Sequence, residues 1–171
     1  VYTAQKGDVY IVTGKTVHGF SNVNNLFIYN IMYDHAQLIE PIRSLFTMPG
    51  FHFLFTLESH YRKTHHIQAK ISLSANKLTY VTELIEDIIT EYTGKNIGYT
   101  AETFHLFLKL ITFLAKNYKN SNILQPGNLY KIAEAVSHIE NNFLDPISLE
   151  EIAQRSELSK RHFIRIFKGN Y

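Results

Sequence analysis

The residues best suited to chemistry are positively charged and lie near the end of the chain. From Ser159 to Tyr171 the sequence carries four fixed positive charges and no acid. Arg161 and Arg165 are four residues apart, so they share one face if this segment is helical. Arginine pairs on an exposed helix face bind guanine edges or phosphates in a DNA major groove. The pattern therefore favours nucleic acid as a partner, with an ordinary solvated helix face as the alternative.

Two short helices joined by a tight turn are expected to carry these charges. The sequence Ser148-Leu149-Glu150-Glu151 matches a capping box and predicts a helix that begins after Ser148. Ser159 is a typical N-cap for a second helix, and the small Ala153 would let the two helices cross closely. Glu157 lies in the turn, where a positive φ would cost about 1 kcal/mol for a residue other than glycine. The expected inner face consists of Ile152, Ala153, Leu158, Phe163, Ile166 and Phe167.

This region also carries a specific set of residues in order. The set is Leu149-x-x-Ile152-Ala153, then Leu158-Ser159, then Phe163-x-x-x-Phe167-Lys168. It resembles the first helix-turn-helix of the AraC/XylS transcription regulators. The resemblance implies double-stranded operator DNA as the partner, and a second helix-turn-helix that this sequence lacks. The DNA-binding positions implied by the resemblance are Ser159, Lys160, Arg161, Ile164, Arg165 and Lys168.

The first part of the chain predicts strands and a sensor. The order and spacing of Gly7, Thr13, His18 and Asn22 resemble the second half of a cupin β-barrel motif. Many regulators of the AraC/XylS type carry such a barrel, so the resemblance implies a small-molecule effector such as a sugar. The predicted ligand-binding residues are His18 and Asn30. Asn30 is polar within an apolar run and could bind a sugar hydroxyl, or it could satisfy a neighbouring backbone group.

The hydrophobic spacing changes from two to three and four after Ser74. This change predicts an antiparallel helical hairpin over residues 74–119, with Gly94 and Gly98 at its turn. Regulators of this type commonly dimerise through such a hairpin, so we expect a homodimer. Packing of the hairpin against the barrel is the alternative. The predicted dimerisation residues are Leu78, Val81, Ile85, Ile88, Phe104, Phe107 and Ile111.

The predicted fold class is α+β, with four segments in order. They are a partial cupin-like β-barrel with its strands in residues 1–73, the hairpin in 74–119, a linker in 120–128 and a helix-turn-helix subdomain in 129–171. Within the first segment, strands are predicted at 9–12, 26–33 and 67–73, with a short helix over 35–47 that breaks at Pro49-Gly50. Both ends look like cuts through a longer protein.

Composition excludes several classes of function. The 171 residues include no cysteine and carry a formal net charge of +2, so disulfides and thiol chemistry are absent. No window reaches the roughly 18 apolar residues of a membrane span. No phosphate-binding glycine loop or nucleophile elbow occurs. The adjacent His65 and His66 would point to opposite faces of a strand, which disfavours zinc.

We therefore expect a ligand-responsive bacterial transcription regulator that acts in the cytoplasm. We expect no enzymatic activity, no cofactor and no metal. The alternative is a cupin-type small-molecule-binding protein, or a metal-dependent enzyme, with a helical tail that only packs. That alternative is disfavoured because His18 is a single barrel ligand and a metal site needs about three.

Overall fold

A computed structural model describes residues 3–12, 17–57, 70–118 and 127–170, and helices make up most of this part of the chain. A π-helical turn over His52–Leu57 continues directly from the third helix. The elements are β1 (Asp8–Tyr10), α1 (His35–Leu38), α2 (Arg43–Phe46), α3 (Pro49–Phe51), β2 (Lys70–Ser72), α4 (Ala75–Gly94), α5 (Tyr99–Asn117), α6 (Gly127–Asn142), α7 (Leu149–Arg155) and α8 (Lys160–Asn170).

The described strands form one two-stranded antiparallel ribbon, in which Val9 of β1 lies opposite Ile71 of β2. Ile71 is fully buried while Lys70 and Ser72 are partly exposed, as the hydrophobic spacing of two before Ser74 predicted. Asp8 joins the two strands by accepting from Ser72 Oγ at 2.7 Å and pairing with Lys70 Nζ at 2.7 Å. The predicted partial β-barrel is therefore wrong: across the described ranges, this ribbon is the whole sheet.

The run from Leu26 to Tyr33 explains why the barrel prediction failed. Its aromatic and branched residues are typical of a strand, but in the structure the run has no regular secondary structure. Tyr33 packs against Phe107 of α5 with ring centroids 4.8 Å apart, and the Tyr29 hydroxyl donates to Glu86 of α4. The run is thus attached to the helical hairpin through side chains instead of a strand ladder.

The helices over residues 35–57 wrap closely around the hairpin. Asp34 caps α1 by accepting from the Gln37 backbone N–H at 3.2 Å. Pro49 was expected to end helical structure, but it occupies the first turn of α3, where its missing N–H is not needed. Gly50 permits a close approach, because a Cβ at this position would lie 1.9 Å from the Ala115 carbonyl oxygen of α5.

The predicted helical hairpin is present as α4 and α5. Lys95 ends α4 in the left-handed region at φ 50°, and Gly98 precedes α5 at φ 86°. The seven predicted dimerisation residues, however, face the core of the same chain or pack against it. Val81, Ile85, Phe107 and Ile111 are each less than a tenth exposed, and Leu78, Ile88 and Phe104 are partly buried. A second copy would have to displace these intramolecular contacts, so a homodimer stays a prediction that needs another face.

The three C-terminal helices share this core. Leu54, Ile71, Ile132 and Phe163 belong to one hydrophobic cluster that runs from the π-helical turn through the ribbon to α6 and α8. On α6, Ser137 Oγ and Asn141 Nδ2 both donate to the Thr47 carbonyl oxygen, the latter at 3.0 Å. The predicted linker falls mostly outside the described residues, and α6 begins at Gly127.

Candidate nucleic-acid interface

Two side-chain caps define where α7 and α8 begin. Ser148 Oγ accepts from the Glu151 backbone N–H at 3.1 Å, and Ser159 Oγ accepts from the His162 backbone N–H at 3.3 Å. Both contacts satisfy backbone donors that a helix start leaves unpaired. The two helix starts predicted from the sequence are confirmed. They could be predicted because each cap depends on residues only three positions apart.

The turn between α7 and α8 is tight and internally hydrogen-bonded. Ser156 is fully buried and its hydroxyl donates to the Ala153 carbonyl oxygen at 2.8 Å. The Leu158 backbone N–H donates to that same carbonyl at 3.1 Å. Glu157 has a φ of 48°, so the turn does require the left-handed conformation at this position. The turn therefore stores about 1 kcal/mol of strain in a residue that is not glycine.

The α7–α8 crossing buries two of the six residues expected at its inner face and partly buries the other four. Ala153 and Phe163 are each 3% exposed, and the Phe163 and Phe167 rings stack with centroids 5.4 Å apart. Ile164 is also partly buried and packs against the main core cluster. Ile164 is therefore only partly exposed and contributes to packing, and its role in DNA binding stays a prediction.

Three basic side chains of α8 lie on its solvent face. Arg161, Arg165 and Lys168 are all exposed. At 100° per residue they fall within an arc of about 60° on the side opposite Phe163. We call these three residues the basic stripe. Their positions on one exposed face allow all three to approach a single flat or grooved anionic surface.

The acids of the α7–α8 unit each have a basic side chain as a hydrogen-bond or ion-pair partner. Glu151 accepts from His138 Nε2 of α6 at 2.9 Å, and Glu157 pairs with Lys131 Nζ at 2.7 Å. Glu150 pairs with Lys160. The hydrogen bond and charge of Lys131 hold the pKa of the Glu157 carboxyl below its usual value. The stripe residues form no ion pair with any residue that the structure describes, so their charge remains available.

His138 links α7 to α6 through both of its ring nitrogens. Asn142 Nδ2 lies 2.9 Å from His138 Nδ1 and can only donate, so Nδ1 accepts and Nε2–H points to Glu151. His138 and Lys131 are not among the site residues that the sequence predicts. No local spacing could have found these contacts, because the acidic partner of each residue lies more than ten residues away in the chain.

The two predicted ligand-binding residues lie on the surface, and their role in binding stays a prediction. His18 and Asn30 are both exposed and lie in segments without regular secondary structure. His65 and His66 lie outside the described residues. The part of the chain that is described contains no group of three or more His, Cys, Asp or Glu side chains placed to hold a metal ion.

No protein-family model, curated protein or solved structure matches this chain. None of the described helices is both long enough and apolar enough to cross a membrane.

Proposed function

We propose that the chain binds double-stranded DNA through the basic stripe of α8 and acts in transcription regulation. The observation that carries the proposal is the separation of charge on the α7–α8 unit. Its acids are paired with other basic side chains, while Arg161, Arg165 and Lys168 remain exposed on one face. An α-helix fits the major groove, where arginine reads guanine and lysine contacts phosphate. The resemblance to AraC/XylS regulators supports the same conclusion.

The three residues of the basic stripe are expected to contact different parts of the DNA. Arg161 and Arg165 lie in the first two turns of α8, where recognition helices contact base edges. Lys168 lies in the last turn and is better suited to a backbone phosphate. With about three such contacts, affinity for arbitrary sequence should be weak, in the range of 10⁻⁴ to 10⁻⁶ M, and strongly dependent on salt.

Selection from a pool of random DNA duplexes with the full chain tests this proposal. We expect an enriched sequence, bound more tightly than a scrambled duplex in fluorescence anisotropy. Arg165→Ala should weaken binding to the enriched duplex by about 1–3 kcal/mol and relax the preference at one base pair. Lys116→Ala, which removes one exposed charge from α5, is the matched control and should leave binding unchanged.

Two outcomes would contradict the proposal in different ways. If the chain does not bind duplex DNA near 50 mM salt, or if its binding does not weaken as salt is raised, DNA is not the partner. If the unmodified chain and the Arg165→Ala variant each bind all duplexes with equal affinity, α8 is a non-specific anion-binding surface and does not read bases. Circular dichroism of each variant establishes that the helices remain folded.

A further inference from the structure

Lys160 differs from the stripe residues in both position and partner. It is the first residue of α8, and its ammonium group pairs with the Glu150 carboxylate of α7. One residue of helix places it about 100° around the axis from Arg161, on the flank that faces α7. Both side chains of the pair remain about half exposed, at 49% for Lys160 and 65% for Glu150. A phosphate could therefore reach the same ammonium group.

We infer that Glu150 competes with DNA phosphate for Lys160 and so lowers the affinity of the interface for every DNA sequence. This inference rests on the proposed function. Flanking lysines of a recognition helix contact the phosphate backbone, which positions the protein without reading bases. While Lys160 is paired with Glu150, a DNA phosphate beside the start of α8 gains little binding free energy from the lysine. The Glu150 carboxylate itself repels that phosphate.

The pair is placed for this role and is dispensable for folding. Glu150 makes no contact in the α7 cap, which Ser148 and Glu151 complete without it. An ion pair between two exposed side chains contributes little to stability. Removal of the Glu150 charge should therefore free Lys160 while the helices and the basic stripe keep their positions.

The test measures DNA affinity against salt for charge variants of the full chain. Glu150→Gln should tighten binding to the enriched and the scrambled duplex by the same factor, about two- to fivefold near 50 mM salt. The slope of log K against log salt should become steeper by about 0.9, because one more phosphate is neutralised. Lys160→Gln alone should leave the slope close to that of the unmodified chain, and the double variant should behave likewise.

Glu157→Gln is the matched control. It changes the net charge of the unit by the same amount, but its partner Lys131 lies on α6. An equal gain in affinity from Glu157→Gln would show a long-range charge effect and overturn the inference. A slope that is shallower by about 0.9 for Lys160→Gln alone than for the unmodified chain would also overturn the inference, because Lys160 would then already bind a phosphate in the unmodified chain. Absence of binding by the unmodified chain would instead count against the proposed function.

Discussion

At the scale of single residues, His52 is the largest of the buried polar side chains among the residues that the structure describes. It is 1% exposed, and its Nε2 lies 2.6 Å from the Phe46 carbonyl oxygen. The rings of Phe46 and Phe51 lie against it, with centroids 5.8 and 6.2 Å away. Burial lowers the pKa of His52, although the hydrogen bond to Phe46 and the charge of Glu140 act in the opposite direction. A neutral imidazole is therefore part of the native core.

This burial predicts a pH dependence of stability with a definite sign. Because the pKa of His52 is lower in the folded chain, the unfolded chain takes up the proton first as pH falls. The stabilisation is complete above the ordinary histidine value of about 6.5 and is lost below it. Urea unfolding at about pH 7.5 and pH 5.5 should show a smaller loss of stability for His52→Gln than for the unmodified chain. Equal losses would show that another group causes the dependence.

Glu157 shows how far one residue can be predicted. Its place in the turn predicted a strained backbone if the turn required positive φ, and the structure has φ 48° there. Its ion pair with Lys131 could not be predicted, because that contact depends on how α6 packs beside the turn. The local conformation follows from neighbouring residues, while the partner follows from the tertiary fold.

At the scale of elements, the crossing of α3 and α5 depends on a missing side chain. A Cβ on Gly50 would lie 1.9 Å from the Ala115 carbonyl oxygen and 2.4 Å from Tyr118 Cδ1. The backbone carbonyl cannot rotate away, so the two helices would have to separate. This crossing is also where two hydrophobic clusters meet, one around Phe51 and the other around Leu54.

Gly50→Ala should therefore destabilise the chain by about 2–3 kcal/mol, as overpacking of a tight contact does. Gly94→Ala is the control, because the nearest atom to its Cβ would be the flexible Asn96 side chain at 3.4 Å. Urea unfolding by circular dichroism measures both variants. Similar midpoints for the two alanine variants would show that the α3–α5 crossing tolerates a side chain.

At the scale of the whole molecule, α6 connects the hairpin to the α7–α8 unit. Ile132 of α6 is fully buried in the cluster that also contains Leu110 of α5 and Phe163 of α8. The Thr47 carbonyl adds polar contacts from Ser137 and Asn141. With a shared core of this kind, the hairpin and the α7–α8 unit should unfold together.

Ile132→Ala tests this coupling. The lost methyl and methylene groups and the remaining cavity should cost about 2–5 kcal/mol. Native-state hydrogen exchange should show similar loss of protection at Leu84 and Leu110 in the hairpin and at Phe163 in α8, because global unfolding then limits all three. Loss of protection confined to α6, α7 and α8 would instead establish residues 129–171 as a separate domain, as the sequence predicted.

The sequence by itself determined the features that depend on residues a few positions apart. These are the hairpin helices, the caps at Ser148 and Ser159 and the shared face of Arg161 and Arg165, since helical hydrogen bonds and capping act over three or four residues. Only the tertiary structure decided which strand-like runs pair and which charges remain exposed. The run from Leu26 to Tyr33 packs on the helical hairpin, Ile164 packs against the hydrophobic core, and Lys160 pairs with Glu150. A strand forms only where a second strand supplies hydrogen-bond partners, and a charge is neutralised only where an opposite charge lies beside it. Both depend on how distant segments pack.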